Sequence, residues 1–338
     1  MASKKPTVIE LFAGAGGMAI GLEKAGFETK MLVEIDKNCV ETLKNNRPKW
    51  NVVHEDIQKI NFKGMNADVV TGGFPCQAFS HAGNKLGFDD TRGTLFYEFA
   101  RAVKEIKPQI FLAENVEAII RNDNGRTLDT ILNVLSSFGY EVKYEILNAL
   151  NYKVPQKRKR IIFIGTKKGV KFQYPKASQK IVTLREGLKN VPKSPGETYS
   201  DAKKKMMEYV PPGGSWIDMP LKIQKKYMGK SFYSTGGRRG MARRISWDEP
   251  CLTLTTSPAQ KMTERCHPKE TRPFTIREYA RIQTFPDSWK FVGSNSSQYR
   301  QIGNAIPVKF ATSLATALHA SLVSSKLVKK IPMKKISQ

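Results

Sequence analysis

The stretch TVIELFAGAGGMAIGLEKAGF, Thr7 to Phe27, decides how this chain folds. Thr7 to Leu11 is dominated by β-branched and apolar residues and reads as a buried strand. Gly14, Gly16 and Gly17 then break the run, and from Gly17 apolar residues recur at helical spacing up to Gly26. The unit is strand, glycine turn, helix. It repeats outward along the chain. KMLVEID (Lys30–Asp36) is a second strand, and NCVETLKNNRP a helix stopped by Pro48. ADVVTGG is the next strand, GTLFYEFARAVKEIKP a helix, QIFLAENV a strand, and TLDTILNVLSSFGY a helix closed by Gly139. EVKYEILNA and KRIIFIGTK follow as strands. Such alternation predicts an α/β fold, a doubly wound Rossmann-like sheet, over residues 1–166.

Beyond Thr166 the pattern breaks. Pro, Gly and Lys become frequent, and clean periodicity returns only near Arg272, in TIREYARIQTF and then VKFATSLATALHASLV. We expect residues 1–166 and 272–325 to form one domain, 167–271 a smaller loop-rich one, and 326–338 a basic tail. The formal net charge is +26, and Lys167–Arg272 alone holds 23 Lys/Arg against 9 Asp/Glu, a net +14. A merely soluble surface would not concentrate charge in that way, so a polyanionic nucleic-acid partner is expected.

No run of roughly 20 apolar residues reads as a membrane span, and the N-terminus lacks the apolar core of a signal peptide. A cytoplasmic location is therefore expected. Cys39, Cys76, Cys251 and Cys266 show no paired short spacing, which argues against a zinc site and a disulfide framework alike.

The glycine turn offers a ligand close backbone approach and a helix N-terminus. Glu34 ends the second strand and Asp56 follows near the end of the third, where carboxylates accept hydrogen bonds from ribose hydroxyls or an adenine amino group. Position 19, where a dinucleotide fingerprint would have its third glycine, is Ala. An adenosyl cofactor without a pyrophosphate fits better. In GGFPCQAFS (Gly72–Ser80), Cys76 is open to two readings. A lone cysteine at a strand–turn junction is more often a buried structural thiol. Here the turn lies at a strand C-terminus ahead of a Gly-, Asn- and Asp-rich loop, where a nucleophile would stand. Glu114 is either a carboxylate ending a strand or a proton donor.

Taken in order, FAGAGG, PCQ, ENV, QKRKR, RPFTIREYARIQTFP and QIGNAIP resemble the motifs of the bacterial cytosine-C5 DNA methyltransferases of restriction–modification systems. The resemblance covers nearly the whole chain outside Lys167–Thr271, the segment that corresponds to that family's target-recognition domain. It implies that Cys76 attacks C6 of a flipped-out cytosine, that Glu114 acts at N3 with help from Asn115, and that Arg158 and Arg160 hold the cytosine and its phosphate. It implies S-adenosyl-L-methionine as methyl donor, held by Phe12, Gly14, Gly16, Gly17, Glu34, Ile35, Asp56, Ile57, Pro75, Leu95, Asn304 and Ile306. Ile35 departs from the tryptophan that some members place against adenine.

Double-stranded DNA is the expected partner, touched by Gln77, Ser80, His81 and Arg92, and by Arg238, Arg239, Arg243 and Arg244 as base readers or phosphate holders. Arg272, Glu278 and Arg281 are expected to form a scaffold. A monomer acting at the nucleoid, with a cognate restriction endonuclease as functional partner, completes the expectation. A tRNA cytosine methyltransferase and a non-catalytic binder are the competing readings.

Overall fold

The β-branched and apolar run Thr7–Leu11 forms strand β1, with all five residues inside. The computed structural model describes residues 5–75, 95–234 and 240–330, with side chains to residue 325. After β1 come α1 (Gly17–Lys24), β2 (Glu28–Glu34), α2 (Lys37–Asn46), β3 (Val52–His54), β4 (Val69–Gly72), α3 (Leu95–Ile106) and β5 (Ile110–Val116). Then follow α4 (Arg126–Ser137), β6 (Glu141–Asn148), β7 (Gln156–Lys157), β8 (Lys159–Thr166), α5 (Leu184–Gly187), α6 (Asp201–Met207) and α7 (Leu221–Met228). The last elements are β9 (Cys251–Leu252), α8 (Ile276–Ile282), α9 (Asn295–Asn304) and α10 (Val308–Lys330).

The chain divides into two compact units: Met1–Leu147 with Lys159–Lys176 and Ala311–Gln338, and Asn148–Arg158 with Ala177–Phe310. Composition drew the line elsewhere. Tyr174 ties the 167–176 segment to the first unit by donating its hydroxyl to the Ile162 carbonyl at 3.0 Å. Residues 272–310 group with the second unit, where the Tyr279 hydroxyl bonds the Thr255 carbonyl at 3.0 Å.

The first unit is a seven-stranded sheet in the order β3-β2-β1-β4-β5-β8-β6. Strands β3, β2, β1, β4 and β5 pair in parallel, and β8 runs antiparallel to β5. This is the doubly wound sheet expected. Strand order reverses between β1 and β4, so the loops leaving these two strands diverge and open a crevice at their C-terminal ends. The alternating apolar residues Ile9, Leu11, Val70, Phe111 and Phe163 bury one sheet face together with Phe96, Phe99 and Val103 of α3 and Ile131 and Leu135 of α4.

Two glycines are fixed by close approach. A Cβ at Gly21 of α1 would stand 2.6 Å from the Ala311 Cβ and 2.7 Å from its carbonyl carbon, so α1 and α10 meet nearly backbone to backbone. The helical stretch Asn295–Ser325 is apolar enough to cross a membrane by length and composition, but 56% of its most apolar window is buried. Leu314, Ala315, Leu318 and Leu322 face inward there, as in a core helix.

The second unit has little regular structure. Its parallel pair β7–β9 is two residues long on each side. A methionine-rich core of Met207, Met219, Met228 and Met241 packs with Tyr227 and Cys266. Methionine fills irregular gaps well, as a loop-rich module requires.

The second tight glycine gives a test. A Cβ at Gly165 in β8 would fall 1.9 Å from Cε1 of Phe111, whose ring is fully buried. Gly165→Ala should lower unfolding stability by about 1–3 kcal/mol through overpacking, read from urea denaturation midpoints.

Candidate active site

The β1–α1 turn is built backward from a carboxylate. Phe12 and Gly14 have positive φ, 56° and 53°, and Gly16 caps α1 at φ 88°. Glu34, at the end of β2, holds this turn: its Oε2 accepts the Gly14 N–H at 2.7 Å. Its Oε1 accepts the N–H groups of Ile35 and Asp36 at 2.9 and 2.8 Å. Burial pushes the Glu34 carboxyl above the usual range; the Asp36, Gly14 and Ile35 amides oppose the rise and the Asp36 charge adds to it. Nothing lies within 4 Å of the point where a Gly14 Cβ would stand, so the turn faces open space.

Beside it Ile35 is 64% exposed, an apolar side chain at a strand end with no core to enter. Asp56 caps the short helical turn at Ile57 by accepting the Gln58 N–H at 3.0 Å, and Ile57 itself is buried. The raised carboxylate, apolar shelf, open glycine and helix N-terminus suit an adenosyl ligand bearing ribose hydroxyls.

On the other side of the crevice, β4 leads into Gly73-Phe74-Pro75. A Cβ at Gly73 would come 3.1 Å from Glu114 Oε2, so the glycine makes room for that carboxylate. Glu114 in β5 pairs with Arg160 of β8, Oε1 to Nε 2.7 Å, with both side chains largely buried. The neighbouring Asn115 donates from Nδ2 to the Phe74 carbonyl at 2.9 Å and accepts the Val116 N–H through Oδ1. Phe74 is anchored in turn by aromatic contacts with Phe96 and Phe99 at 5.4 and 5.8 Å. Leu95 stands half-buried at the start of α3 and Pro75 is exposed. Thus the segment that leads into Cys76 is clamped two residues earlier. Cys76, Gln77, Ser80, His81, Arg92, Arg238 and Arg239 lie outside the described residues.

The second unit holds the other expected residues. Arg158, expected beside the cytosine, has its guanidinium buried and donates to the carbonyls of Leu254 at 3.2 Å and Gly303 at 3.0 Å. That is a structural assignment. Gln156 and Gln283 join side chain to side chain at 2.7 Å, and Gln283 Nε2 reaches the carbonyls of Ile302 and Ala305 at 2.7 and 2.8 Å. This amide relay knits QKRKR, RIQTF and QIGNAIP together. Asn304 is exposed at the end of α9, and Ile306 is buried just after it.

Arg244 is a correction: expected at DNA, it is 5% exposed and bonds the carbonyls of Val210, Met207 and His267 and the Thr271 hydroxyl. Arg243 is half-buried next to it. Arg272 and Glu278 form the bidentate pair of a scaffold, at 2.8 and 2.9 Å. Burial would raise Glu278, but the Arg272 and Thr275 hydrogen bonds outweigh it and hold the carboxyl below its usual range. Arg281 bonds Asp287 at 2.6 Å.

Residues 6–320 match the family described as C-5 cytosine-specific DNA methylase. The chain belongs to that family. It is 56% identical over 319 residues to the Type II methyltransferase M.Eco47II of Escherichia coli, covering 90% of this chain and 76% of that protein. To M.Sau96I of Staphylococcus aureus it is 54% identical, covering 94% and 76%. Among solved structures, one described as a DNA modification methyltransferase encoded within an E. coli prophage superposes with a TM-score of 0.69 at 27% identity, covering 94% of this chain and all of that one. The Dnmt2 methyltransferase of S. pombe shares the fold, with a TM-score of 0.61 at 20% identity over 94% and 99% of the two chains.

Two features of this methylase escape sequence reasoning. Glu10, in the middle of β1, is 3% exposed, and its Oε2 has no hydrogen-bond partner among the described residues. Burial, with the Glu34 charge added, pushes its carboxyl well above the usual range. The other is the role of the buried arginines. In ARRIS the hydrophobic neighbours Met241 and Ile245 were the available sign that one arginine turns inward. Arg244→Ala should therefore cost at least about 2 kcal/mol of stability, since several charge-assisted hydrogen bonds vanish at once. Chemical denaturation without DNA checks this, because a purely DNA-contacting arginine would leave the midpoint unmoved.

Proposed function

We propose that this methylase is a Type II DNA (cytosine-5)-methyltransferase of a restriction–modification system, acting on double-stranded DNA at the nucleoid, in the cytoplasm. The observation that carries the mechanism is the clamp at the ends of β4 and β5. There Asn115 grips the Phe74 carbonyl while Arg160 fixes Glu114 beside Gly73. A cognate restriction endonuclease would cut the same sequence when it is unmodified. Residues 1–166 and 272–325 are the proposed catalytic part, 167–271 the target-recognition part and 326–338 a basic tail.

In this reading cytosine leaves the helix, because its C5 cannot be reached within the stack. The Cys76 thiolate adds to C6 and pushes an electron pair toward C5 and N3. Glu114 holds a proton at N3, and Arg160 fixes the orientation of that carboxyl. Bound S-adenosyl-L-methionine would supply the electrophilic methyl group to C5, its sulfonium sulfur keeping the S–CH3 bonding pair and leaving as the neutral thioether. Loss of the C5 proton to a base and expulsion of the Cys76 sulfur then restore the ring. Asn115 keeps the cysteine segment in place through Phe74.

For the cofactor, Glu34 would accept from the ribose hydroxyls, Ile35 would cover an adenine face, and Asp56 and Ile57 would flank the base. The turn at Phe12, Gly14, Gly16 and Gly17 would approach the amino-acid end. Pro75, Leu95, Asn304 and Ile306 are the remaining proposed contacts. The exposed lysines of the recognition part, such as Lys204, Lys205, Lys222 and Lys226, suit phosphates. With Arg244 inward, Arg238, Arg239 and Arg243 are the arginines left to propose at DNA.

Bisulfite sequencing of plasmid DNA from cells making the wild type should show protected cytosines in one short recurring motif. Cys76→Ala should lower methylation at least about a thousandfold while retaining DNA binding. Unprotected DNA from soluble, folded wild type would sink the proposal. Ile35→Ala should weaken S-adenosyl-L-methionine about fivefold by calorimetry, from roughly 1 kcal/mol of lost apolar contact. In both proteins that affinity should fall on acidification at a higher pH than an ordinary glutamate would dictate. The reason is that protonating Glu34, whose pKa is raised, removes the acceptor.

A further inference from the structure

Strand β6 ends the sheet, and its free edge is unusual for its length, eight residues. Short, covered or bulged edges are the usual protection against pairing with another chain. Here Tyr144 and Ile146 are 40% and 43% exposed. A groove of about 600 Å³ runs at this edge, lined by Leu132, Val142, Lys143, Tyr144, Phe172 and Pro175 among others. Neighbouring residues of a strand point to opposite faces, so a groove touched by both Lys143 and Tyr144 wraps the edge itself. Its shape suits an added strand.

The charge pattern says whose. Along β6 the charges run Glu141, Lys143, Glu145, on alternate residues of one face. Lys143 pairs with Glu141 at 2.7 Å, and Glu145 has no ion pair among the described residues. A twofold axis normal to the sheet keeps every side chain on its own face, so two copies of β6 can meet only in registers centred on a residue. Centred on Lys143, the register sets that lysine against itself and Glu141 against the partner's Glu145. Centred on Glu145, it sets carboxylate against carboxylate. Like charges directly opposite are unfavourable. Centred on Tyr144, Lys143 stands opposite the partner's Glu145 twice over, and Val142 opposite the partner's Ile146. Centred on Val142, Glu141 also stands opposite the partner's Lys143, but only residues 141–143 of the strand then pair, whereas the Tyr144 register pairs 141–147 with complementary charge and apolar contact.

We propose that β6 pairs antiparallel with the β6 of a second copy of this chain, in the register centred on Tyr144, to give a reversible dimer with a continuous sheet. This replaces the monomer expected from a single recognition module. The +26 net charge of each chain opposes association, so the contact is favoured in moderate salt, where repulsion beyond about 8 Å is screened.

Sedimentation of the full chain in about 150 mM salt tests it. The wild type should approach twice the chain mass as concentration rises. Lys143→Glu alone and Glu145→Lys alone should each stay at one chain mass, because each places like charges opposite. Mixing these two variants should restore the dimer, as should Lys143→Glu combined with Glu145→Lys, which also shows that the single variants fold. A wild type that keeps one chain mass up to about 0.3 mM would overturn the proposal and leave the groove to a foreign strand. Dimers indifferent to both single reversals would overturn it too.

Discussion

One carboxylate sets the shape of the crevice. Glu34 gathers three backbone N–H groups, from Gly14, Ile35 and Asp36, and so joins the turn after β1 to the end of β2. Backbone N–H groups need partners, and Glu34 supplies all three from one side chain. In exchange the chain tolerates two positive-φ residues at Phe12 and Gly14 and a carboxyl whose ionisation is opposed by burial. The arrangement holds the glycine backbone open, with the first amides of α1 directed outward. Loosening that link would let the turn collapse onto the strand ends, and the crevice between β1 and β4 would lose one wall.

Across the sheet the same economy recurs with different chemistry. Side-chain amides, Asn115 in one unit and Gln156 with Gln283 in the other, grip backbone carbonyls of segments distant in sequence. An amide offers donors and an acceptor without a charge to desolvate, so it suits buried joints. Arginine is used where several carbonyls converge. Arg158 and Arg244 each satisfy such clusters inside the second unit. Lysine, with a strongly hydrated head, stays largely outside. The basic excess of residues 167–271 therefore overstates the charge available at the surface, because Arg244 and Arg265 are buried.

The sheet was legible because apolar runs, glycines and prolines act locally. β1, β2, β4 and β5 and the helices α1, α2 and α3 fall where the pattern put them. The Glu34 link was not legible: the sequence offered that carboxylate to a ligand, whereas the structure has it accept the Gly14, Ile35 and Asp36 N–H groups. What could not be read depends on contacts far apart in the chain. Arg158 and Arg160 differ by two residues, yet one faces the carbonyls of Leu254 and Gly303 and the other Glu114. Nothing in KRKR separates them. The division between units was hidden for a related reason: charge density changes near Thr166, whereas hydrogen bonding holds 167–176 to the sheet through Tyr174. Glu10 was read as part of a strand, and no local pattern marks a carboxyl that must be buried uncharged or at a cost.

The near-contact of Gly21 with Ala311 bears on how the protein is made. Helix α1 is the first helix of the described chain and α10 the last. Gly21 of α1 thus waits for all the chain between the two helices to be made before its packing partner appears. Until α10 arrives, the nascent sheet carries an uncovered apolar stripe beside the glycine turn. The packing behind that turn is completed only with α10, so a chain stopped before it would hold the glycine turn and Glu34 without the helix that meets α1 at Gly21.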